Sequence, residues 1–461
     1  MGIVHAKEKK HGLASPNINY DDCDSVESRE INLEGVRARV DRIHINGLAR
    51  TKDDYVKGVV QDLFDANDFQ DVLLKAHTVR NKLNSMGCFQ NIGVFIDTSK
   101  GPKATPDGLE ITFYVRELKR VVGGINTQVG DNEGSLVIGL RAPNMFGRGE
   151  RIQTEFSYGS KNTNNFNLSF VKPFTGRHNP VFSTSVYQAN SEWPSSGYKQ
   201  VDLGFILDYG INSWPLIRHN FQWDVAVRDL SVLTKGSSFA IREESGSSLK
   251  SALRHIFSID VRDDNIFPSC GSLFKFTTEA AGAGGDVGFV KNDVFLQTNL
   301  SLIGDCVLQT SANAGILNSL GNDWKLGLMD MYYLGGPLSL RGFRMRGVGP
   351  HSEGDALGST WFWASGLHLF TPLPFRPGKG GFGELFRTHL FVNAGNIGNF
   401  EGDEDFMEKV KTNIRVAYGI GVAMRLGQMA RIEINYCFPH SFQETDLSQP
   451  GVQFGIGVHF L

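Results

Sequence analysis

Beyond Arg120 the chain alternates apolar and polar residues with a period of two, in runs of about ten residues separated by turn signals. The pattern is plainest in "GVQFGIGVHFL", residues 451–461. There Val452, Phe454, Ile456, Val458 and Phe460 share one face, and Gln453, Gly455, Gly457 and His459 share the other. "IRVAYGIGVAMRL" sets Ile414, Val416, Tyr418 and Ile420 against Arg415 and Arg425, and "RIEINYCF" sets Ile432, Ile434 and Tyr436 against Arg431, Glu433 and Asn435. Sixteen such runs lie near residues 120–130, 133–143, 150–160, 165–174, 180–190, 198–210, 217–233, 248–263, 270–282, 290–302, 306–317, 358–371, 388–398, 414–426, 430–438 and 451–461. A soluble sandwich would also show period two. Three features favour strands that cross a membrane: the runs have the length of a tilted transmembrane strand, their number is even, and no helical pattern covers either face. Closing the sheet also removes the two open edges that sixteen consecutive strands leave. The predicted fold is β-dominated, with a sixteen-stranded transmembrane β-barrel over residues 120–461.

The N-terminal part follows other periods. Residues 1–37, polar and acidic around "DDCDSVESRE", predict a disordered acidic tail. "MGIVHAKEKKHGLASPN" has neither the apolar core of a secretory signal nor an Arg-rich amphipathic helix. Residues 38–118 predict strand, helix, helix, strand, strand, which makes a small α+β domain. Thr51 is placed to cap the first helix, with Asp54 three residues on, and Gly87 to end the second after Val72, Ala76, Val79 and Leu83 recur at helical spacing.

Composition then removes function classes. With 53 glycines, 11% aromatics and a net charge of -3, the chain is no polybasic nucleic-acid binder. A mean hydropathy of -0.20 is what alternating lipid-facing and lumen-facing residues produce. Cysteines 23, 88, 270, 306 and 437 are scattered without metal-ligand spacing, so no metal is expected. "GAGGDVG" at 282–288 lacks the third glycine of a dinucleotide fingerprint and is followed by a strand, so no cofactor is expected either. With neither GxSxG nor HExxH, the chain does not read as an enzyme.

One connection stands out. Residues 318–357 separate the eleventh and twelfth runs, far beyond hairpin length, and contain "PLSLRGFRMRGVGPHSEGDALGS", in which Arg341, Arg344 and Arg346 have no adjacent carboxylate. If the loop folds inward, Arg341 needs a polar partner on the inner wall, because a buried unpaired charge is costly.

The segment Leu340, Arg341, Gly342, Phe343 resembles the VRGF or IRGF signature of the BamA superfamily of barrel-assembly and translocation proteins, whose sixth long loop tucks into a sixteen-stranded barrel. Residues 38–118 are similar to that superfamily's POTRA domain. A single such domain behind an acidic tail resembles the mitochondrial branch. The superfamily carries an acidic FxDxG motif on the thirteenth strand opposite the loop arginine; here "FVNAG" puts Asn393 there, and parity puts Glu433 on the lumen face of the fifteenth strand. Asn393 and Glu433 are therefore the expected loop partners, with Arg346 left nearer solvent. The last strand resembles the β-signal of mitochondrial barrels through Gln453, Gly455, Val458 and Phe460. The resemblance implies insertion of other β-barrels into the mitochondrial outer membrane through a lateral gate. Gly123, Gly124 and Asn126 would form its first-strand lip, and the β-signal residues its last-strand lip. The alternative is an outer-membrane metabolite or protein-conducting pore. Implied partners are metaxin-like companion subunits, client barrel precursors, membrane lipid and an inner-membrane organising complex reached across the intermembrane space, with no nucleic acid.

Overall fold

The structure, a computed structural model, describes residues 3–5 and 36–461 apart from 103, 131–132, 161–162, 175, 177, 322–323, 374–381, 401–405 and 428–429. It divides into two compact units. One takes in residues up to Val122 with Arg141–Ile152 and Val171–Arg177; the other holds Gly123–Leu140, Gln153–Phe170 and His178–Leu461.

In the first unit, β1 (Ile3–His5), β2 (Arg39–Asn46), β3 (Phe89–Thr98) and β4 (Gly108–Glu117) form one sheet in the order β1-β2-β4-β3, with α1 (Asp53–Val60) and α2 (Phe69–Ser85) between β2 and β3. Helix α2 buries Val72, Ala76, Val79 and Leu83 against Ile43, Ile45, Ile111 and Phe113. Gly87 follows it with φ +63 and donates its N–H to the Asn84 carbonyl. Two expectations are corrected. Ile3–His5, inside the predicted tail, pairs in parallel with Arg42–His44, because β2 offers an unpaired edge. The rest of the tail lies outside the described residues, apart from Val36 and Arg37, of which Arg37 bridges Asp68. Thr51 does not cap α1: the N-cap is Lys52, and the Thr51 hydroxyl donates instead to Glu117 Oε1 at 2.7 Å.

Glu117 gathers that corner. Its carboxylate accepts the N–H groups of Ala49, Arg50 and Thr51 at 2.9–3.1 Å and ion-pairs with Arg50 Nε at 3.3 Å. Burial raises the carboxyl's pKa, but the Thr51 hydroxyl and the three backbone donors outweigh it, so the pKa lies below the ordinary glutamate value. The resulting stability is present above the unfolded-state pKa and is lost as pH falls through the lower folded one. Glu117→Gln in the full chain is therefore expected to speed amide exchange at Ala49–Thr51 by about tenfold or more at pH 7, roughly one charge-assisted hydrogen bond's worth. The gap between variant and wild type should close on acidification, and an equal rate at pH 7 would remove Glu117 from this role.

The second sheet has sixteen strands. They are β5 (Val122–Gly130), β6 (Glu133–Pro143), β7 (Arg151–Gly159), β8 (Asn164–Pro173), β9 (Val181–Trp193), β10 (Tyr198–Trp214), β11 (Ile217–Val232) and β12 (Gly246–Asp260). After these come β13 (Gly271–Ala281), β14 (Phe289–Ser301) and β15 (Val307–Ser319). A small separate hairpin, β16 (His351–Ser352) with β17 (Asp355–Ala356), precedes β18 (Trp361–Pro372), β19 (Phe386–Gly398), β20 (Arg415–Leu426), β21 (Ala430–Ser441) and β22 (Gly451–Gly457). Each sheet strand pairs with its neighbours in the chain, from β5 at one end to β22 at the other. The long loop spans residues 320–360 rather than 318–357.

Burial is inverted relative to a soluble sheet. Leu203, Leu253, Leu367, Leu390, Ile434 and Val452 are exposed, whereas Gln297, Gln309, His368, Glu433 and Gln453 are buried. Apolar residues face outward, as lipid requires, and polar ones line a lumen. Among the described residues, no helix is long and apolar enough to cross a membrane. Among the described residues, no backbone pairing joins β5 to β22.

Candidate functional site

The described part of the 320–360 loop enters the lumen, and Leu340, Arg341 and Phe343 are all fully buried. Gly342 has φ +87, and a Cβ there would lie 2.9 Å from that of Ala417, so the turn requires glycine on both counts. Phe343 bridges Ser448, Arg344 N–H bonds the Leu447 carbonyl at 3.0 Å, and Gln449 N–H bonds that of Gly342 at 2.8 Å. The loop thus lies along the segment that leads into β22.

Arg341 is brought to Glu433. Its Nη2 and Nε lie 2.8 and 3.3 Å from Glu433 Oε2, and Nη1 donates to the Leu461 carbonyl oxygen at 2.8 Å. Glu433 Oε1 pairs with Arg431 Nε at 2.9 Å, so one buried carboxylate serves two guanidinium groups. A closed hydrogen-bond ring surrounds the pair. Arg341 can only donate, so His368 Nε2, 3.4 Å away, accepts. With its proton on Nδ1, His368 then donates a hydrogen bond to His389 Nδ1 at 3.2 Å; His389 Nε2 donates to Asn435 Oδ1 at 2.8 Å; and Asn435 Nδ2 donates to Glu433 Oε2 at 3.0 Å. One tautomer of each histidine satisfies every link.

Asn393 is not a partner of Arg341. It is fully buried, yet among the described residues neither side-chain amide atom has a hydrogen-bond partner. The guanidinium is already committed to Glu433, His368 and Leu461, with the Phe391 ring 5.2 Å from its central carbon. Arg346 is not free toward solvent either. It lies between the rings of Trp193 and Tyr333, 3.8 Å from each centroid, and donates to the Ser196 and Tyr198 hydroxyls at 3.0 Å. Arg344 is the exposed arginine.

On the last strand, Gln453 points inward: its Oε1 accepts Gly342 N–H at 2.9 Å and its Nε2 donates to the Phe343 carbonyl at 2.9 Å. A Cβ on Gly455 would approach Pro337 at 3.0 Å and the Phe460 ring at 3.1 Å, so its missing side chain makes room for the loop. Val458 and Phe460 do not continue the outward face. The strand ends at Gly457, and the chain turns into the lumen: Phe460 is buried 5.6 Å from the Arg341 guanidinium, Val458 lines the cavity there, and Leu461 N–H bonds the Leu338 carbonyl at 3.0 Å. On the first strand, Gly123, Gly124 and Asn126 are exposed, and a Cβ on Gly124 would meet nothing within 4 Å.

Two anchors went unread in the sequence. Asp330, the lone acid of "LGLMDMYYLGG", forms a buried bidentate pair with Arg228 of β11 at 2.7 and 3.0 Å. Asp446 holds Arg415 of β20 at 2.8 and 3.1 Å and also accepts Gly349 N–H. An isolated acid in an apolar run was the available signal for the first. Beside the loop lies a cavity of about 1070 Å³.

A model of the Omp85 superfamily domain matches residues 144–460. The chain is 45% identical to the sorting and assembly machinery component 50 homolog of Xenopus tropicalis and 46% to that of Homo sapiens, over 100% of this chain and of each relative. Among solved structures, BamA from Haemophilus ducreyi lacking POTRA domains 1-3 superposes with a TM-score of 0.73 at 17% identity, over 91% of this chain and 84% of that one. An inward loop held by buried ion pairs inside a sixteen-stranded sheet, preceded in the sequence by a small α+β domain, is thus carried by a chain that belongs to the Omp85 superfamily, in its family of sorting and assembly machinery component 50 homologues.

Proposed function

We propose that this protein inserts and assembles β-barrel proteins in the mitochondrial outer membrane, by lateral opening between β5 and β22. The observation that carries the mechanism is that each of these strands has a sheet partner on one side only among the described residues. A strand edge presents a row of unpaired N–H and C=O groups, which can template an incoming strand by β-augmentation. Backbone bonds ignore side-chain identity, so one edge serves many clients. No catalytic group is needed for such templating.

The relatives' names supply the machinery of which this chain would be a component. Its α+β domain, residues 38–118, acts as a POTRA domain and faces the intermembrane space, where an inner-membrane organising complex is a partner. Metaxin-like subunits accompany the barrel, and client precursors engage the gate residues Gly123, Gly124, Asn126, Gln453 and Gly455.

Depletion of the protein, followed by import of radiolabelled outer-membrane barrel precursors, tests the reading. Import should continue while membrane-integrated clients fall several-fold. Normal client assembly with loss of membrane conductance would favour the pore instead.

A further inference from the structure

At the end of the sheet where β10 turns into β11 through Pro215 and Leu216 alone, β12 and β13 are joined by ten residues, Val261–Cys270. This strap is built to hold one shape. Asp264 Oδ1 accepts the N–H groups of Ile266 and Phe267 at 2.7 and 3.3 Å, and Asp263 Oδ1 accepts those of Ser269 and Cys270 at 2.9 and 3.2 Å. It also reaches across the lumen. Asp264 ion-pairs with Arg425 of β20, five strand positions beyond β13 in the sheet, and the Arg425 guanidinium lies 5.5 Å from the Phe267 ring centroid. Ile266 is 1% exposed, and Phe267 packs on Val307 of β15, Phe370 of β18 and Ala423 of β20.

The fit beneath Phe267 is close. The space between it, Gln309, Phe370, Arg387 and Arg431 amounts to about 10 Å³, the room of roughly one water. Arg431 stacks 5.5 Å over Phe370 and holds Glu433, which holds Arg341. Asn265 and Ile266 meanwhile line the same cavity as Leu338 and Phe460. Two inward segments thus converge on one buried ion pair, the strap beside Arg431 and the arginine loop through Arg341 on Glu433.

We propose that Val261–Cys270 is a stopper: it closes the lumen at this end, is latched by Asp264 and Arg425, and keeps the Arg431–Glu433 pair out of water. A charged pair in a dry interior interacts far more strongly than a hydrated one, so the same element seals the barrel and tightens the hold on Arg341. This inference does not depend on the assembly function.

The test uses the full chain, lacking its native cysteines, reconstituted in planar bilayers and in liposomes. Phe267→Ala and Arg425→Gln should each raise ion conductance about tenfold over the parent, whereas Phe267→Leu and the turn-tip substitution Ile303→Ala should leave it unchanged. In parallel, Gln309→Cys, beneath the strap, should react with a membrane-impermeant maleimide only when combined with Phe267→Ala or Arg425→Gln. If Phe267→Ala does not fold, as judged by its heat-dependent mobility, Arg425→Gln carries both readouts. Unchanged conductance in the folded variants, or equal labelling at Gln309→Cys with the strap intact, would overturn the proposal.

Discussion

Glu433→Ala should be the most damaging single substitution in the barrel interior, ahead of Arg341→Ala, with each costing on the order of 3–5 kcal/mol because a buried charge is left without its partner. The order follows from the charge count around the carboxylate. Removing Arg341 leaves Glu433 still paired with Arg431 and bonded to Asn435; removing Glu433 leaves two buried guanidinium groups with no carboxylate between them. The double variant should cost less than the sum of the singles, by about 1–3 kcal/mol of coupling. Arg346→Ala, which loses ring stacking and two hydroxyl contacts, should cost about 1–2 kcal/mol. Asn393→Ala should be near neutral or stabilising, because it removes an amide that has no partner among the described residues. Urea-unfolding midpoints in detergent, read beside client assembly in isolated membranes, decide the matter. A milder effect of Glu433→Ala than of Arg341→Ala would mean that Arg431 finds another counter-ion.

How much of this was legible beforehand differs residue by residue. Period two depends only on which face a side chain takes, and lipid on one side with polar lumen on the other enforces it in every strand, so all sixteen runs were visible. Parity likewise put Glu433 on the inner face, within reach of a loop that had to fold inward to satisfy its arginine. Asn393 was placed by analogy of motif rather than by need, and among the described residues its amide meets no hydrogen-bond partner. The ring through His368, His389 and Asn435 was out of reach because its members lie on β18, β19 and β21, and only register brings them together. Val458 and Phe460 kept the alternation to the end of the chain. Alternation cannot register where a strand stops, and here the vacancies at Gly455 and Gly457 let the chain turn inside.

Joining the first and last strands by a disulfide should stop client assembly almost completely, by tenfold or more, and a reductant should restore it. Cysteine at Asn126 would be paired in turn with cysteine at Gly455 or Gly457, native cysteines removed, and the register found by scanning neighbours, since a bridge forms only where Cα atoms come within about 7 Å. Gly455 calls for care: its side chain would crowd Pro337 and Phe460, so an unlocked Gly455→Cys control must fold and function first. The strands differ in how firmly they are held. β22 is fastened to the loop through Gln453, whereas among the described residues Gly124 and Asn126 of β5 are exposed and make no such side-chain bond. The lock therefore restrains the lip that is freer to move. Assembly at the unlocked rate in a demonstrably cross-linked protein would eliminate lateral opening, and the barrel fold would stand.

The sheet is also uneven in height. β10 runs for 17 residues and β11 for 16, while β22 has 7 and β5 has 9. A tilted strand needs about nine to eleven residues to cross a bilayer's hydrocarbon core. Where β22 stands, the wall is too short for an undisturbed membrane, and lipid can match it only by thinning, at a cost of a fraction of a kcal/mol per ångström. A membrane around this sheet is therefore expected to dip on the side where β22 stands, so that a polypeptide entering there would meet less hydrocarbon than elsewhere in the same membrane.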